Sequence, residues 1–506
     1  MTKVYIKQPI LELTALDVEK FFLKSRNYFT PYLPPYFDFT EILDEVKQKM
    51  KGRALAEFYN SETKMEEVEG VNFVLAESKD ANYAWREFRM IHPAVYVELV
   101  RILTENWGLV QERMKLFQMQ DLVAEASILP GVSTGKNSTG AAILKWWHGM
   151  ERANVKMSLY YNYVAETDIL ECYSSMKTDL LKRVLDGKAK TGVGERIHRL
   201  LTASEQGKIK GIPQGSMLGD FLAEMILSYI DVVFYNKIKK QKLKNDFTVI
   251  RYRDDYRIFT KDEESARRLL KILSDVLGQF DLKLNPAKTR ILDDVIEAAR
   301  KPDKKYWEAH KMQMDGKYEQ NILKCLMNIY EMAKLYPNSG SVKRALLDLY
   351  ENRIIKLEHC PDNAYQILGI MANMIVENPR SYENCVAVMS KIMSFNPGIS
   401  RNSLVENVLV KLGERPNAEH LEICLQRLTI KNKPGKKYRN NFSKNIYDSN
   451  AKIWNSKWLN FRLEDRKVYS RKRVREMDFA VLVEEISAFY DYDNDDEDDF
   501  EEFWMN

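Results

Sequence analysis

Two adjacent carboxylates, Asp254 and Asp255, lie inside the stretch Thr248 to Phe259. β-Branched and aromatic residues precede and follow them. The segment therefore reads as strand, tight turn, strand, with the acids at the turn. Neighbouring carboxylates repel each other, and a divalent cation offsets that repulsion. Mg²⁺ takes one or two protein carboxylates and completes its shell with substrate phosphates. A third carboxylate would complete a two-metal site, in which one ion activates an attacking hydroxyl and the other holds the leaving oxygen. Asp168 answers that description, because the apolar and aromatic run Met157 to Val164 predicts a strand that Asp168 closes. The cofactor expected is a pair of Mg²⁺ ions, with Mn²⁺ as a substitute.

Two further stretches stand in fixed order around these acids. Gly211-Ile-Pro-Gln-Gly-Ser216 opens onto a helical pattern of apolar residues, Leu222, Met225, Ile226 and Ile230. Leu282 to Ile291 reads Leu-Lys-Leu-Asn-Pro-Ala-Lys-Thr-Arg-Ile and carries Lys288. The Asp168 segment, the Pro-Gln-Gly segment, the acidic pair and the Lys288 segment, in that order, resemble the palm motifs of reverse transcriptases. The resemblance covers roughly residues 85 to 295.

The resemblance implies roles for single residues. Asp168, Asp254 and Asp255 are the catalytic, metal-binding set, with Asp255 supporting the site more than ligating. Tyr173 falls where the family keeps an aromatic gate beneath the sugar, and its ring would clash with a 2′-hydroxyl. Gly211 and Gly215 permit backbone conformations closed to other residues. Their amides and the Gln214 side chain then approach the template base and the incoming nucleotide. Lys288 reaches the triphosphate and can protonate the leaving pyrophosphate. Trp85 to Pro93 resembles the basic fingers strand, so Arg86 or Arg89 grips the triphosphate with the bidentate geometry that Lys lacks. His92, just before Pro93, reads as a turn residue with a side-chain hydrogen bond. Arg253 and Arg257 flank the acids and read equally as charge balance or substrate contacts.

Composition bounds the setting. In 506 residues, 45% of them apolar, no run of eighteen apolar residues occurs, so no membrane span is expected. The start, Met1 to Pro9, lacks an apolar signal core. The five cysteines, Cys172, Cys325, Cys360, Cys385 and Cys424, are scattered, odd in number and without metal-ligand spacing. Together these features predict a reducing, cytoplasmic location. The net charge of +4 hides strong patterning. Lys237–Lys244, Lys431–Asn441 and Arg466–Arg475 are basic, the last two with tyrosines interleaved, whereas Asp491–Glu502 is acidic. Basic residues beside tyrosines suit phosphate contact with base stacking, and solvated faces are the plainer alternative. The acidic end reads as disordered.

The fold expected is α+β: a right-hand polymerase fingers–palm core followed by an all-α, helical-repeat-like C-terminal domain. Residues 1–80 read as an N-terminal leader, 81–295 as fingers and palm, 296–485 as the helical domain and 486–506 as the tail. Amphipathic helices are predicted over 321–334, 341–357, 363–377, 381–394, 403–412 and 417–427. A short palm with a helical appendage, and no zinc module or RNase H carboxylate set, resembles the bacterial defence-associated reverse transcriptases of the abortive-infection and unknown-group classes. Relatives of other classes usually carry Ala or Val at the position of Arg253. That departure points to an altered hold on the primer end. The subgroup implies antiphage defence, homo-oligomers, dNTPs as substrates, a DNA product and a noncoding RNA template. In some members a tyrosine primes synthesis. Mobility favours Tyr32 or Tyr36 in the leader, and Tyr490 or Tyr492 beside the tail. Two alternatives stay open: template-independent, protein-primed DNA synthesis, and an inactive RNA-binding scaffold. The intact Gly-Ile-Pro-Gln-Gly-Ser frame favours templated synthesis, and the three aspartates speak against inactivity.

Overall fold

The computed structural model describes residues 9–79, 83–118, 123–125, 151–187, 190–241, 246–314, 321–396, 398–412, 417–432, 438–448 and 450–486. Tyr490, Tyr492, the acidic tail and parts of the basic stretches Lys237–Lys244 and Lys431–Asn441 lie outside these residues.

The centre is a five-stranded sheet in the order β3-β5-β6-β4-β7. Here β3 is Val123–Glu125, β4 Tyr163–Asp168, β5 Phe247–Tyr252, β6 Asp255–Thr260 and β7 Arg290–Leu292. β3 runs parallel to β5, and every other pairing is antiparallel. Side chains alternate between the faces of a strand. Ala165, Val249, Tyr256 and Ile258 therefore enter the main core with Phe221, Met225, Leu269 and Leu273. Val164, Ile250, Tyr252 and Phe259 enter a smaller cluster with Ala153, Val295 and Ala298 on the other face. Both faces are covered, which is why the strands read as apolar runs rather than strict alternation.

Two helices cover the first face. Met217–Lys240 is capped by Ser216, whose Oγ accepts from the Gly219 amide at 3.0 Å. Glu263–Gly278 is capped by Asp262, which accepts from the Ser265 amide at 2.8 Å. Such caps satisfy amide donors that the first helical turn leaves open. Neither these nor any other helix among the described residues is long and apolar enough to cross a membrane.

A separate two-stranded hairpin, in the segment expected to form the fingers, pairs β1, Phe73–Ser78, with β2, Trp85–Met90. His92 then caps the helix Pro93–Glu105, as its position before a proline suggests. Its Nδ1 accepts from the Ala94 amide at 3.2 Å and its Nε2 lies 2.9 Å from Ser456 Oγ. Burial pushes its pKa down to about 3, so the ring stays neutral.

The segment read as a leader is folded into the main core. Phe22, Tyr28 and Phe39 share that core with Trp454 and Trp458 from the far end of the chain. Isolated bridges join Phe37 to Tyr469 and Tyr59 to Leu459. The Trp454 indole donates to the Met90 carbonyl at 3.2 Å. Residues 438–474 therefore close back over the fingers and do not continue the helical array.

Between them stands the array itself: Ile322–Leu335, Gly340–Leu349, Ala364–Glu377, Tyr382–Ser394, Arg401–Leu412 and Glu419–Thr429. These helices lie within a residue or two of the predicted ones. The second runs on as a π turn, Tyr350–Ile354, which accounts for the longer helix expected there. The array buries its own core around Leu346, Ile375, Val386 and Met389.

Candidate active site

Cross-strand register brings the acids together. Asp168 is the last residue of β4 and stands directly opposite Asp255, the first of β6. One rung earlier on the same face, Glu166 faces Arg257, and the two form an ion pair at 3.1 Å. The opposite charges at that rung are stabilising, whereas the like charges at the next are not. Asp254 sits in the two-residue turn beside Arg253, and its carbonyl accepts from the Ile169 amide at 3.2 Å. Arg253 takes a left-handed φ of 51° to close this turn, uncommon for a residue with a side chain.

The pair is electrostatically uncomfortable. Burial, and then the Asp168 charge, raises the pKa of Asp254. Burial, and then the Asp254 charge, raises that of Asp255 to about 6. Asp168 is 4% exposed; its Oδ1 is buried and has no hydrogen-bond partner, while Oδ2 accepts from the Lys288 ammonium. Burial opposes the charge on Lys288, but the Asp168 carboxylate outweighs it and raises the lysine's pKa. Lys288 is held there by the turn after Leu284, where the Asn285 amide donates to the Asp168 carbonyl at 2.8 Å.

Among the described residues no three His, Cys, Asp or Glu side chains stand ready-made around one point that could hold a metal. A divalent ion of the Mg²⁺ kind does not need three, since one or two carboxylates suffice when phosphates supply the rest. The orphaned Asp168 Oδ1 and the raised aspartate pKa values fit such an ion.

Tyr173 lies in the short helix Cys172–Ser175, and its hydroxyl donates to Asp220 Oδ1 at 2.8 Å. The other carboxylate oxygen of Asp220 accepts from Arg253 at 2.9 Å. The hydrogen-bonded ion pair of Arg253 is with Asp220, and that of Arg257 is with Glu166. The idea that Arg253 alters the hold on a primer end loses its free guanidinium.

Gly211 is demanded by packing: a Cβ there would come within 2.2 Å of the Tyr173 carbonyl oxygen. Gly215 has φ 117°, in the region glycine tolerates, and its missing Cβ makes room for Phe88 and Phe29. The Gln214 carbonyl accepts from the Arg89 amide at 2.8 Å, tying this segment to the fingers strand.

Neither fingers arginine is an uncommitted cation. Arg86 is ion-paired with Glu77. Arg89 is 13% exposed, donates to Glu87 at 3.1 Å and lies 3.8 Å from Glu205. A triphosphate would have to compete with these carboxylates. Glu77 also meets His420 of the helical array, with Nδ1 at 2.7 Å, while His420 Nε2 lies 2.7 Å from the Tyr32 carbonyl. Burial disfavours charge on both groups. Polar neighbours outweigh it: His420 and Arg86 hold Glu77 at about 2, while Cys424 first and then Glu77 raise the His420 pKa well above its ordinary value.

The leader tyrosines are not on a mobile arm, which corrects the expectation for Tyr32 and Tyr36. Tyr36 is fully buried and its hydroxyl meets Gln426 Oε1 at 3.2 Å. The Tyr32 ring packs against the helical core, with its hydroxyl enclosed. Burial raises both phenol pKa values well above the ordinary one, so neither is poised as a nucleophile.

Sequence reasoning passed over three acids beneath the hairpin. Asp220, Glu224 and Asp231 lie on the helix Met217–Lys240. Arg251, wholly buried, bonds Glu224 at 2.7 Å and Asp231 at 2.8 Å, and donates to the Arg253 carbonyl at 3.1 Å. The signal was present: acids at spacings of four and seven share one face of an otherwise apolar helix.

Comparison with known proteins bears on this arrangement. No curated protein matches the chain. Among solved structures, telomerase from Candida albicans in complex with a fragment of telomeric RNA aligns at 11% identity and a TM-score of 0.32, over 77% of this chain and 66% of that one. Apo telomerase from Candida tropicalis aligns at 12% identity and a TM-score of 0.31, over 78% and 71%. The chain thus spans just under two thirds of the length of the first. Residues 118–317, which hold β4 through β7, the aspartates, Tyr173 and Lys288, match the reverse transcriptase (RNA-dependent DNA polymerase) family, so this segment is a reverse transcriptase domain.

Proposed function

We propose that the protein is an RNA-directed DNA polymerase that uses two divalent ions, Mg²⁺ by preference, to join dNTPs along an RNA template. The observation that carries this reading is the register of Asp168 opposite Asp255, with Asp254 at the adjoining turn and Asp168 Oδ1 buried without a partner. Asp168 and Asp254 would hold the ions, and Asp255 would add charge beside them. When bound, such ions supply the charge that activates a terminal hydroxyl and neutralises the leaving pyrophosphate. Tyr173 lies under the sugar and excludes a 2′-hydroxyl. Lys288 exchanges Asp168 for phosphate and gives its proton to the leaving oxygen.

For the whole protein the reading is antiphage defence, with a noncoding RNA template, in a cytoplasmic homo-oligomer. It is supported by the resemblance of the sequence to the bacterial defence-associated enzymes, and RNA binding by the exposed arginines Arg466, Arg471 and Arg475 on the segment that closes over the β1–β2 hairpin. Two other members of that basic stretch have structural partners: Lys467 pairs with Glu45 at 2.7 Å and Arg473 with Asp38 at 2.8 Å.

Primer extension on an RNA template with dNTPs and Mg²⁺ tests the reading. Asp254→Asn combined with Asp255→Asn should abolish incorporation by orders of magnitude while leaving the circular dichroism unchanged. Full incorporation by the double variant would remove the aspartates from the reaction.

A further inference from the structure

We propose that Asp220 is a positioning residue that sets sugar selection, by tethering the Tyr173 ring to the turn that carries Asp254. The inference rests on reading Tyr173 as the sugar gate and goes beyond it, because the ring's shape alone does not fix where it stands.

The geometry is a three-member chain. The Tyr173 hydroxyl donates to Asp220 Oδ1 at 2.8 Å, and Arg253 donates to Asp220 Oδ2 at 2.9 Å. Each member comes from a different element: the short helix after β4, the first turn of the helix Met217–Lys240, and the β5–β6 turn. Asp220 is 14% exposed at its side chain, so water competes poorly for either bond. Both bonds are charge-assisted and therefore among the stronger kinds.

An aromatic gate excludes a 2′-hydroxyl only if it cannot swing aside. A tyrosine ring turns about χ1 and χ2, and a free ring has several staggered positions. The bond at its far end removes that freedom. Arg253 in turn fixes the carboxylate, and its left-handed backbone sits immediately before Asp254. The gate is therefore referenced to the same turn that carries the reacting centre. A displacement of the ring by about an ångström is enough to change which substrates fit productively.

The test compares incorporation of deoxy- and ribonucleotides by the full-length protein with Mg²⁺ on a primed RNA template. The readout is the ratio of the two kcat/KM values, which a general loss of activity does not move. Asp220→Ala and Tyr173→Phe should each lower the deoxy-over-ribo ratio by roughly tenfold or more, the scale of one hydrogen bond to a charged group. The double variant should fall no further than the larger single effect, because both changes cut the same link. Asp220→Asn, which keeps an acceptor for the phenol, should restore most of the discrimination. Tyr173→Phe loses a single oxygen, so it carries the test even if Asp220→Ala proves unstable. If Tyr173→Ala relaxes selection while Tyr173→Phe and Asp220→Ala leave the ratio at its wild-type value, the gate stands and the tether is wrong. If Tyr173→Ala leaves the ratio unchanged, the gate reading fails and takes the tether with it. Absence of any incorporation by the wild-type protein would refute the polymerase reading itself.

Discussion

Replacing Asp255 by Asn should make the metal-free protein more stable at neutral pH while slowing its polymerisation. Asp255 faces Asp168 across the sheet and adjoins Asp254, and its carboxyl pKa is raised from 3.8 to about 6. The folded state therefore holds this proton more tightly than the unfolded chain does. Between those two values unfolding releases the proton, so stability falls as pH rises through the window. At about 1.4 kcal/mol per pH unit, the full loss is about 3 kcal/mol above pH 6, and about half of it is present at pH 5. Asn keeps the shape and removes the charge, so the variant should regain up to about 3 kcal/mol at pH 8 and gain almost nothing at pH 4. Urea denaturation in EDTA at pH 4, 5, 6 and 8 would read this directly. Magnesium should act in the opposite sense. An ion that binds only the folded state adds about 2.7 kcal/mol at a hundred times its dissociation constant. Wild type should show that gain, and the variant, which keeps Asp168 and Asp254 but has one negative charge fewer beside the ions, should show a smaller one. Equal wild-type and variant stabilities at pH 8 in EDTA, with parallel pH curves, would refute the electrostatic account of the site.

Three other outcomes follow from named contacts. Gly211→Ala places a methyl within 2.2 Å of the Tyr173 carbonyl, so it should cost about 3 kcal/mol or more and lower the melting temperature; an unchanged melt would show that the backbone there gives freely. Glu77→Gln strips the buried His420 of its counter-charge and should cost about 3–5 kcal/mol. Because pairing holds Glu77 at about 2, below its ordinary 4.5, its contribution is complete above pH 4.5 and fades as pH falls toward 2, so the variant should lose that part of the acid limb in a pH series of melts. Changing Arg466, Arg471 and Arg475 together to Ser should lower the slope of log affinity for single-stranded RNA against log salt by about 2, and an unaltered slope would make these arginines a solvated face.

The acidic turn and the helix after Ser216 were legible in the sequence because each is a local pattern: β-branched runs around a turn, and an apolar helical period. The strand that Asp168 closes was legible only at its end, since it spans Tyr163–Asp168 and the run from Met157 begins in a helix end and a turn. The array from Ile322 to Thr429 was legible for the same reason, as amphipathic period with Pro and Asn breaks. What the acids are worth to one another was not. Asp168 and Asp255 are 87 residues apart, and only antiparallel register sets them opposite, one rung beyond the Glu166–Arg257 pair. Partner choice for the arginines was equally invisible. Arg253 neighbours two aspartates in sequence yet bonds Asp220, because a left-handed turn aims it beneath the hairpin. Tyr32 and Tyr36 looked mobile because proline-rich sequence carries no burial signal. The returning segment with Trp454 and Trp458 covers the fingers and fixes the leader in the core. Sequence determines the elements, whose signals lie within a few residues. The charge network depends on contacts between residues tens to hundreds of positions apart, and there only the packed chain decides which carboxylate meets which cation.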